Sequence, residues 1–410
     1  MLIVQKFGGL SAWDLNMVHK AADRVADAYS EGHEIIAVVS SQGAIHKELI
    51  AAAHKLTSQP SRRELDMLMS SCEQQAAALL VMALLARGLP AISLTGWQAG
   101  IQTTEAHQAG KVEKVNPERL QNELDKNNIV VVAGRQGYSC AENITMLGRH
   151  GTDVTAVALA AELQAQLCEI YTRADGVYTA DPSIVASAKK LNEISYDEMT
   201  ELAALGDLPL KGRCVELAKK HKVNLVVRQI TTNTPGTYIK EVAKVENSQV
   251  SGIALDKNVA RITIAGVKDE PGTAMKIFSM ISKRGISADL IIQTMGAVGD
   301  PNTKDIMFTV SRTDMDTVLE IFENNNHGIA FHHISSDDRL CKLSIVGAGI
   351  ISTPGIATTV FEALSASGVN IGAIASSEIK ISLLIDEKDA DKAANAVHDA
   401  FTPKTHVKTP

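Results

Sequence analysis

At 410 residues the chain is long enough for two or three domains, each with its own core. Its net charge of −7, with no basic run, argues against a nucleic-acid or anionic-membrane partner. The five cysteines, Cys72, Cys140, Cys168, Cys214 and Cys341, have no paired or metal-like spacing, which points to a reduced, cytoplasmic protein without a structural metal. No signal-type stretch precedes the first strand and no run approaches membrane-spanning length.

The apolar run Leu2, Ile3, Val4 leads into Lys6-Phe7-Gly8-Gly9-Leu10-Ser11, and Leu15, Val18, Ala22 and Val25 then recur at helical spacing. This reads as strand, glycine turn and helix, with the turn at the carboxyl end of a parallel strand. Backbone N–H groups and the ammonium of Lys6 would face an anion there, although the spacing differs from that of P-loops, and a plain tight connection has the same pattern. Strand candidates follow at 35–40, 91–95, 129–133, 166–171 and 223–227, separated by helical stretches that include 64–86. That alternation predicts a mostly parallel, helix-covered sheet over residues 1–230. The turn cluster from Thr231 and the polar residues after it mark 231–250 as a linker.

An internal repeat occupies the remainder. Ile262–Gly266 with Pro271-Gly272 and a helix ending at Gly285 matches Leu343–Gly347 with Pro354-Gly355 and a helix ending at Gly368. Equal spacing and equal order predict two copies of a small α+β module, at 251–336 and 337–410. Each Pro-Gly turn sets a helix N-terminus beside a loop, which suits either a ligand carboxylate or a purely structural dimerisation module.

Three stretches of the first domain carry chemistry. Glu73 lies on the long helical segment, where a buried carboxylate would hold an ammonium group and a solvated one would do nothing. The segment 143–153 presents Arg149 and Asp153 in a glycine-bracketed turn before a helix; Arg149 would clamp a carboxylate, and Asp153 would serve the site or simply cap the helix. The segment Tyr171 to Pro182 follows a strand and would suit a nucleotide cradle or an ordinary surface turn.

In order and type these pieces resemble the aspartate kinases of the amino-acid kinase superfamily along essentially the whole chain. The matching residues are Lys6-Phe-Gly-Gly with Ser11, Val38-Val-Ser40, Leu65-Asp-Met-Leu with Glu73, Gly148-Arg149 through Asp153-Val-Thr-Ala-Val-Ala-Leu-Ala-Ala, Asp175-Gly-Val-Tyr-Thr-Ala-Asp-Pro182, and Ser377-Glu378-Ile-Lys-Ile-Ser. The resemblance implies an α/β fold: an amino-acid-kinase-type open, mostly parallel sheet sandwiched by helices, followed by two α+β ACT (ferredoxin-like) modules. It implies phosphoryl transfer from ATP, with Mg²⁺, to the side-chain carboxylate of aspartate, the step that opens the route to lysine, threonine and methionine. Lys6 and Asp153 take catalytic roles. Ser40, His46, Glu73 and Arg149 bind the amino acid, with Glu73 on its ammonium and Arg149 on its α-carboxylate. Lys6, Gly8, Gly9, Ser11, Thr172, Arg173, Tyr178, Asp181 and Lys211 line the nucleotide pocket. Asp269, Gln293, Asn370, Ile371, Ser377 and Glu378 stand where the family binds lysine or threonine, and a homodimer through the ACT modules is implied.

The chain departs from the family pattern at Leu10, His46, Lys47, Cys72, Arg135, His150, Arg173, Ser183, Leu208 and Ala375, and in the loop 294–299. A different carboxylate acceptor, or a catalytically weak amino-acid-binding regulator, would also account for changes at these positions.

Overall fold

Strand β1 (Leu2–Leu10) forms at the centre of the first sheet because Leu2 and Val4 on one face and Ile3 and Phe7 on the other are apolar, as a strand covered by helices on both sides requires. The computed structural model describes residues 1–12, 14–41, 43–148, 150–205, 210–241, 250–295, 302–323, 329–350 and 352–401. These fall into two compact units, 1–178 with 190–246 and 179–189 with 247–410.

In the first unit β1 is followed by α1 (Leu15–Ser30), β2 (Glu34–Ser41), α2 (Gly43–Leu56), α3 (Arg62–Leu85), β3 (Ala91–Leu94), β4 (Ile101–Thr103), β5 (Val112–Val115), α4 (Glu118–Leu124) and β6 (Ile129–Ala133). Then come β7 (Gln136–Tyr138), β8 (Ile144–Met146), α5 (Gly151–Glu162), β9 (Leu167–Thr172), β10 (Glu193–Ser195), α6 (Tyr196–Leu205), α7 (Gly212–His221), β11 (Leu225–Gln229) and β12 (Thr237–Lys240). An eight-stranded sheet has the order β10-β12-β11-β9-β1-β2-β6-β3, parallel except where β12 meets β11. Ile3 and Phe7 of β1, Ile35, Ala37 and Val39 of β2, and Val131 of β6 pack against Val18 and Val25 of α1 and Leu80 and Leu84 of α3. The opposite face carries Lys6 and is covered by α5, whose first ten residues are all buried. A smaller sheet, β5-β4-β7-β8, is built from strands of three or four residues, too short for a period to register in the sequence.

Three sequence expectations need correction. Residues Thr237–Lys240, read as part of a connection, form β12: Gly236 lets the chain pass Val227, whose carbonyl oxygen would lie 2.1 Å from an added Cβ. The apolar run of α3 is, by length and composition, sufficient to cross a membrane, contrary to the expectation that none is; more than half of its apolar window is buried on the sheet and α1. Leu15 does not join the buried face of α1, because it stands in the open first turn at 51% exposure and Ala21 takes its place.

The second unit contains β13 (Gly252–Lys268), α8 (Thr273–Lys283), β14 (Asp289–Met295), β15 (Thr303–Val310), α9 (Met315–Glu323), β16 (His333–Val346), α10 (Ile356–Ala366), β17 (Ala373–Ser376), β18 (Lys380–Asp386) and α11 (Ala390–Phe401). Its single sheet runs β14-β15-β13-β16-β18-β17. The repeat is visible in α8 and α10: each follows a left-handed glycine, Gly272 (φ 95°) or Gly355 (φ 99°), and each is followed by a second, Gly285 or Gly368. The halves interleave through the long central strands. Gly252–Asp256 pairs with Lys342–Val346, and Arg261–Ala265 pairs with His333–Asp337, so each long strand serves both modules. The segment 179–189 packs here too, with Ala180 and Val185 in the core formed by β16, β18, α10 and α11.

Candidate active site

The carboxyl ends of β1 and β2 hold the chemistry. Between the pairs Phe7↔Val39 and Leu10↔Ser41, β1 has two residues where β2 has one, so Gly8 and Gly9 form a bulge opposite Ser40. The expected glycine turn is therefore a widened strand end, and Gly9 accepts the bulge's left-handed backbone at φ 78°. Space beside Gly8 is shared by two polar groups: a Cβ placed there would lie 3.5 Å from Lys6 Nζ and 3.6 Å from Ser40 Oγ.

Lys6 Nζ lies 2.8 Å from Asp153 Oδ1, with side chains 13% and 5% exposed. Asp153 stands in the first turn of α5; the capping position is held by His150 at φ 63°, so Asp153 is free to serve the lysine instead of the helix end. Two left-handed non-glycine residues, Arg135 and His150, shape the approach to that turn. Arg135 is fixed on both sides: Leu147 N–H donates to Arg135 O at 2.8 Å, and Arg135 N–H donates to Thr155 Oγ1 at 3.1 Å. Gly134 and Gly151 are required by crowding, since added Cβ atoms would meet Val39 O at 2.8 Å and Leu147 Cβ at 2.5 Å. Burial pushes the thiols of Cys168 and Cys214 far above their ordinary range, and Asp153 adds to the effect, so both stay neutral.

On the α3 side of the same edge lies Glu73, fully buried. Its Oε2 accepts from the Ser41 backbone N–H at 2.7 Å. Its Oε1 lies 3.1 Å from His46 Nε2 but has no aligned hydrogen-bond donor, while the imidazole is aligned on Ser41 Oγ at 3.2 Å. Successive residues of β2 thus point opposite ways: Ser40 toward Lys6 and Gly8, Ser41 toward Glu73 and His46. Burial first, and the neighbouring Glu73 second, raise the Cys72 thiol as well.

Two turns before Glu73 on α3, the buried Asp66 accepts from His107 Nδ1 at 2.7 Å and from the backbone and side-chain amides of Gln108, pinning the loop before β5. Sequence reasoning assigned no role to Ser41 or His107, and quoted Asp66 only within the Leu65-Asp-Met-Leu match. For Asp66 the signal was its seven-residue spacing from Glu73, which places both on one helix face.

On the other side of β1, the pair Phe7↔Tyr171 sets Thr172 next to Gly8. The Thr172 hydroxyl closes a turn with Ala174, donating to its carbonyl at 2.8 Å, and Arg173 is exposed. Tyr178 donates to Asp175 Oδ1 at 2.9 Å, and Lys190 Nζ holds the other oxygen at 3.1 Å. Burial opposes ionisation of Asp175, but these two partners prevail and lower its pKa; the same hydrogen bond raises that of Tyr178. Ser11 is buried beyond the bulge, and Lys211 stands at the N-cap of α7.

Asp181 belongs to the segment 179–189, grouped with the second unit, and its carboxylate accepts from Ser183 N–H and Oγ at 2.8 and 2.7 Å. Arg149, the Gly206-Asp207-Leu208 departure and most of the loop 294–299 lie outside the described residues. Among the described residues no group of three metal-binding side chains converges.

The residues expected to bind an effector are divided between the two edge strands of the second unit's sheet and the loops beside them. Gln293 is on the edge strand β14, whereas Ser377 and Glu378 turn from the other edge strand, β17, into β18. Asp269 pairs with Lys304 at 3.0 Å, and Asn370 and Ile371 follow α10. The two edge strands also approach one another, since Leu290 of β14 and Ala373 of β17 pack against one small cluster, Val259, Leu340 and Leu384.

Residues 1–229 match the amino acid kinase family, and 343–401 match the ACT domain family. Aspartokinase 2 of Bacillus subtilis is 42% identical over 406 residues, covering 99% of this chain and 98% of that protein. The chain belongs to the aspartokinases. The aspartate kinase of Synechocystis is 38% identical, with a TM-score of 0.55 over all of this chain and 72% of the other. The structure of E. coli aspartokinase III in complex with aspartate and ADP has a TM-score of 0.79 over 98% of this chain and 99% of that one, and at 21% identity it shows the shared aspartokinase fold.

Proposed function

We propose that this aspartokinase transfers the γ-phosphoryl group of ATP to the side-chain carboxylate of L-aspartate, giving 4-phospho-L-aspartate and ADP. The observation that carries the reading is the meeting, at the carboxyl ends of β1 and β2, of the Lys6–Asp153 pair with the buried Glu73, one from each face of the sheet. A carboxylate oxygen of aspartate forms the new bond to phosphorus as the bond to the ADP oxygen breaks, and no protein nucleophile is needed. Lys6 neutralises charge that builds on the transferring oxygens, with donors from the Gly8–Gly9 bulge beside it. Asp153 holds the lysine aimed at that point. Glu73 Oε1, buried and short of a hydrogen bond, takes the substrate ammonium; Ser40 and Arg149 engage the rest of the amino acid. Tyr178, held by Asp175, and Thr172 border the nucleotide.

Mg²⁺ would accompany the nucleotide, held mainly by its phosphate oxygens and water. The second unit takes an amino-acid effector, lysine or threonine, at sites completed by a second chain against β14 and β17. Ile291 and Ile374, exposed on those two outer strands, support such a homodimer. Four buried, neutral thiols accord with work in the reducing cytoplasm. The test is ATP consumption with Mg²⁺ and aspartate, the acyl phosphate being trapped as its hydroxamate. Hydroxamate formation that falls sharply in Lys6→Met is the expected result, and no hydroxamate with aspartate refutes the reading.

A further inference from the structure

We propose that His46 is a specificity-determining residue which fills part of the ammonium position of the acceptor site, and so weakens the site's demand for an α-amino group. The proposal rests on the reading of Glu73 as the partner of that ammonium. Glu73 is fully buried, and the Ser41 N–H uses Oε2, so Oε1 is the oxygen left for a ligand. His46 Nε2 already stands 3.1 Å from that oxygen, anchored by Ser41 Oγ at 3.2 Å rather than by Glu73 itself. The imidazole is itself buried, at 7% exposure, so solvent does not screen the contact.

Two consequences follow for the acceptor. An amino acid's ammonium must approach an oxygen beside which His46 Nε2 already stands at 3.1 Å, which lowers what the ammonium gains on binding. A dicarboxylate without the amino group, such as succinate, leaves Glu73 facing His46 instead of stranding a buried carboxylate with no partner. A site lacking the imidazole rejects such an acid strongly, because an unpaired buried charge is expensive. His46 therefore narrows the gap between amino and non-amino dicarboxylates.

The test is calorimetric titration of aspartate and of succinate into the full chain with Mg²⁺ and ADP present, for the native protein, His46→Thr, His46→Gln and Glu73→Gln. In His46→Thr the ratio of the succinate to the aspartate dissociation constant should rise about tenfold or more, because the site now pairs with an ammonium or with nothing. His46→Gln, which keeps a polar side chain of similar reach beside Oε1, should raise it less and guards against a folding defect in the threonine variant. If the ratio is the same in the native protein and both His46 variants while Glu73→Gln weakens aspartate, the proposal is overturned and the Glu73 reading stands. If Glu73→Gln leaves aspartate binding unchanged, the Glu73 reading falls and takes the proposal with it.

Discussion

Lys6 and Asp153 are proposed to act as a unit, and that makes a prediction with two separable readouts. The carboxylate is 5% exposed and lies 2.8 Å from the ammonium. Lys6→Met therefore strands a buried charge, and the expected loss of stability is about 3 to 5 kcal/mol, as when one partner of a buried pair is removed. Replacing both residues, Lys6→Met with Asp153→Asn, removes the stranded charge and should recover about 2 kcal/mol of that loss. Activity should not follow. A positive charge placed on the transferring phosphoryl group contributes about 3 to 4 kcal/mol to the transition state, so kcat should fall roughly 10²- to 10³-fold in Lys6→Met and remain there in the double variant. Urea unfolding midpoints and hydroxamate formation measure the two effects. Stability losses that simply add, together with kcat losses that multiply, would refute the idea that the aspartate acts through the lysine.

Gly151→Ala should destabilise the chain by about 1 to 3 kcal/mol and lower kcat, because the new methyl meets Leu147 Cβ at 2.5 Å and must push the first turn of α5, with Asp153, away from Lys6; denaturant midpoints and kcat check this. His398 on α11 is 2% exposed, with Nε2 against Thr179 Oγ1 at 2.9 Å and Nδ1 against Ser187 Oγ at 3.2 Å. Burial lowers its pKa from 6.5; Asp399 opposes the shift and Lys189 adds to it. The unfolded chain takes up the proton first as pH falls, so this contribution to stability is complete above about 6.5 and is lost below it. Unfolding midpoints at pH values on both sides of 6.5 should show that decline, and His398→Gln should flatten it. Thiol labelling of the native protein should modify Cys140 alone, since the other four cysteines are buried, and should reach all five on denaturation.

The parallel sheet was legible because its strands are short apolar runs broken by helical periods, and the repeat because equal spacing reproduces equal glycine caps at Gly272 and Gly355. The small sheet and β12 were not, since three- and four-residue strands carry no period and Tyr238 and Ile239 follow a turn cluster that reads as a connection. Membership of Asp181 was hidden for another reason. Its motif continues without a break from Tyr178, yet Tyr178 pairs across to Lys190 and the eleven residues between them pack on a different core. A linear motif does not reveal which of two cores its apolar residues will join; here Ala180 and Val185 joined the one that holds Leu343 and Val397.

The site divides along the same line. Lys6, Glu73 and Asp153 could be picked out one by one as residue types in suggestive turns and helices, but their roles depend on partners 147 and 32 positions away, Asp153 for Lys6 and Ser41 for Glu73. Position 46 illustrates what pattern alone withholds. In the sequence a histidine there is a departure from the family pattern, whereas the structure sets its Nε2 against the one oxygen of Glu73 that lacks a hydrogen bond. The substitution thus bears on the ammonium side of the substrate and leaves the phosphoryl-transfer side, Lys6 with Asp153, on the opposite face of the sheet. Because the two halves of the site are built from opposite faces of β1 and β2, a change in which acids bind need not carry a change in how the phosphoryl group is moved.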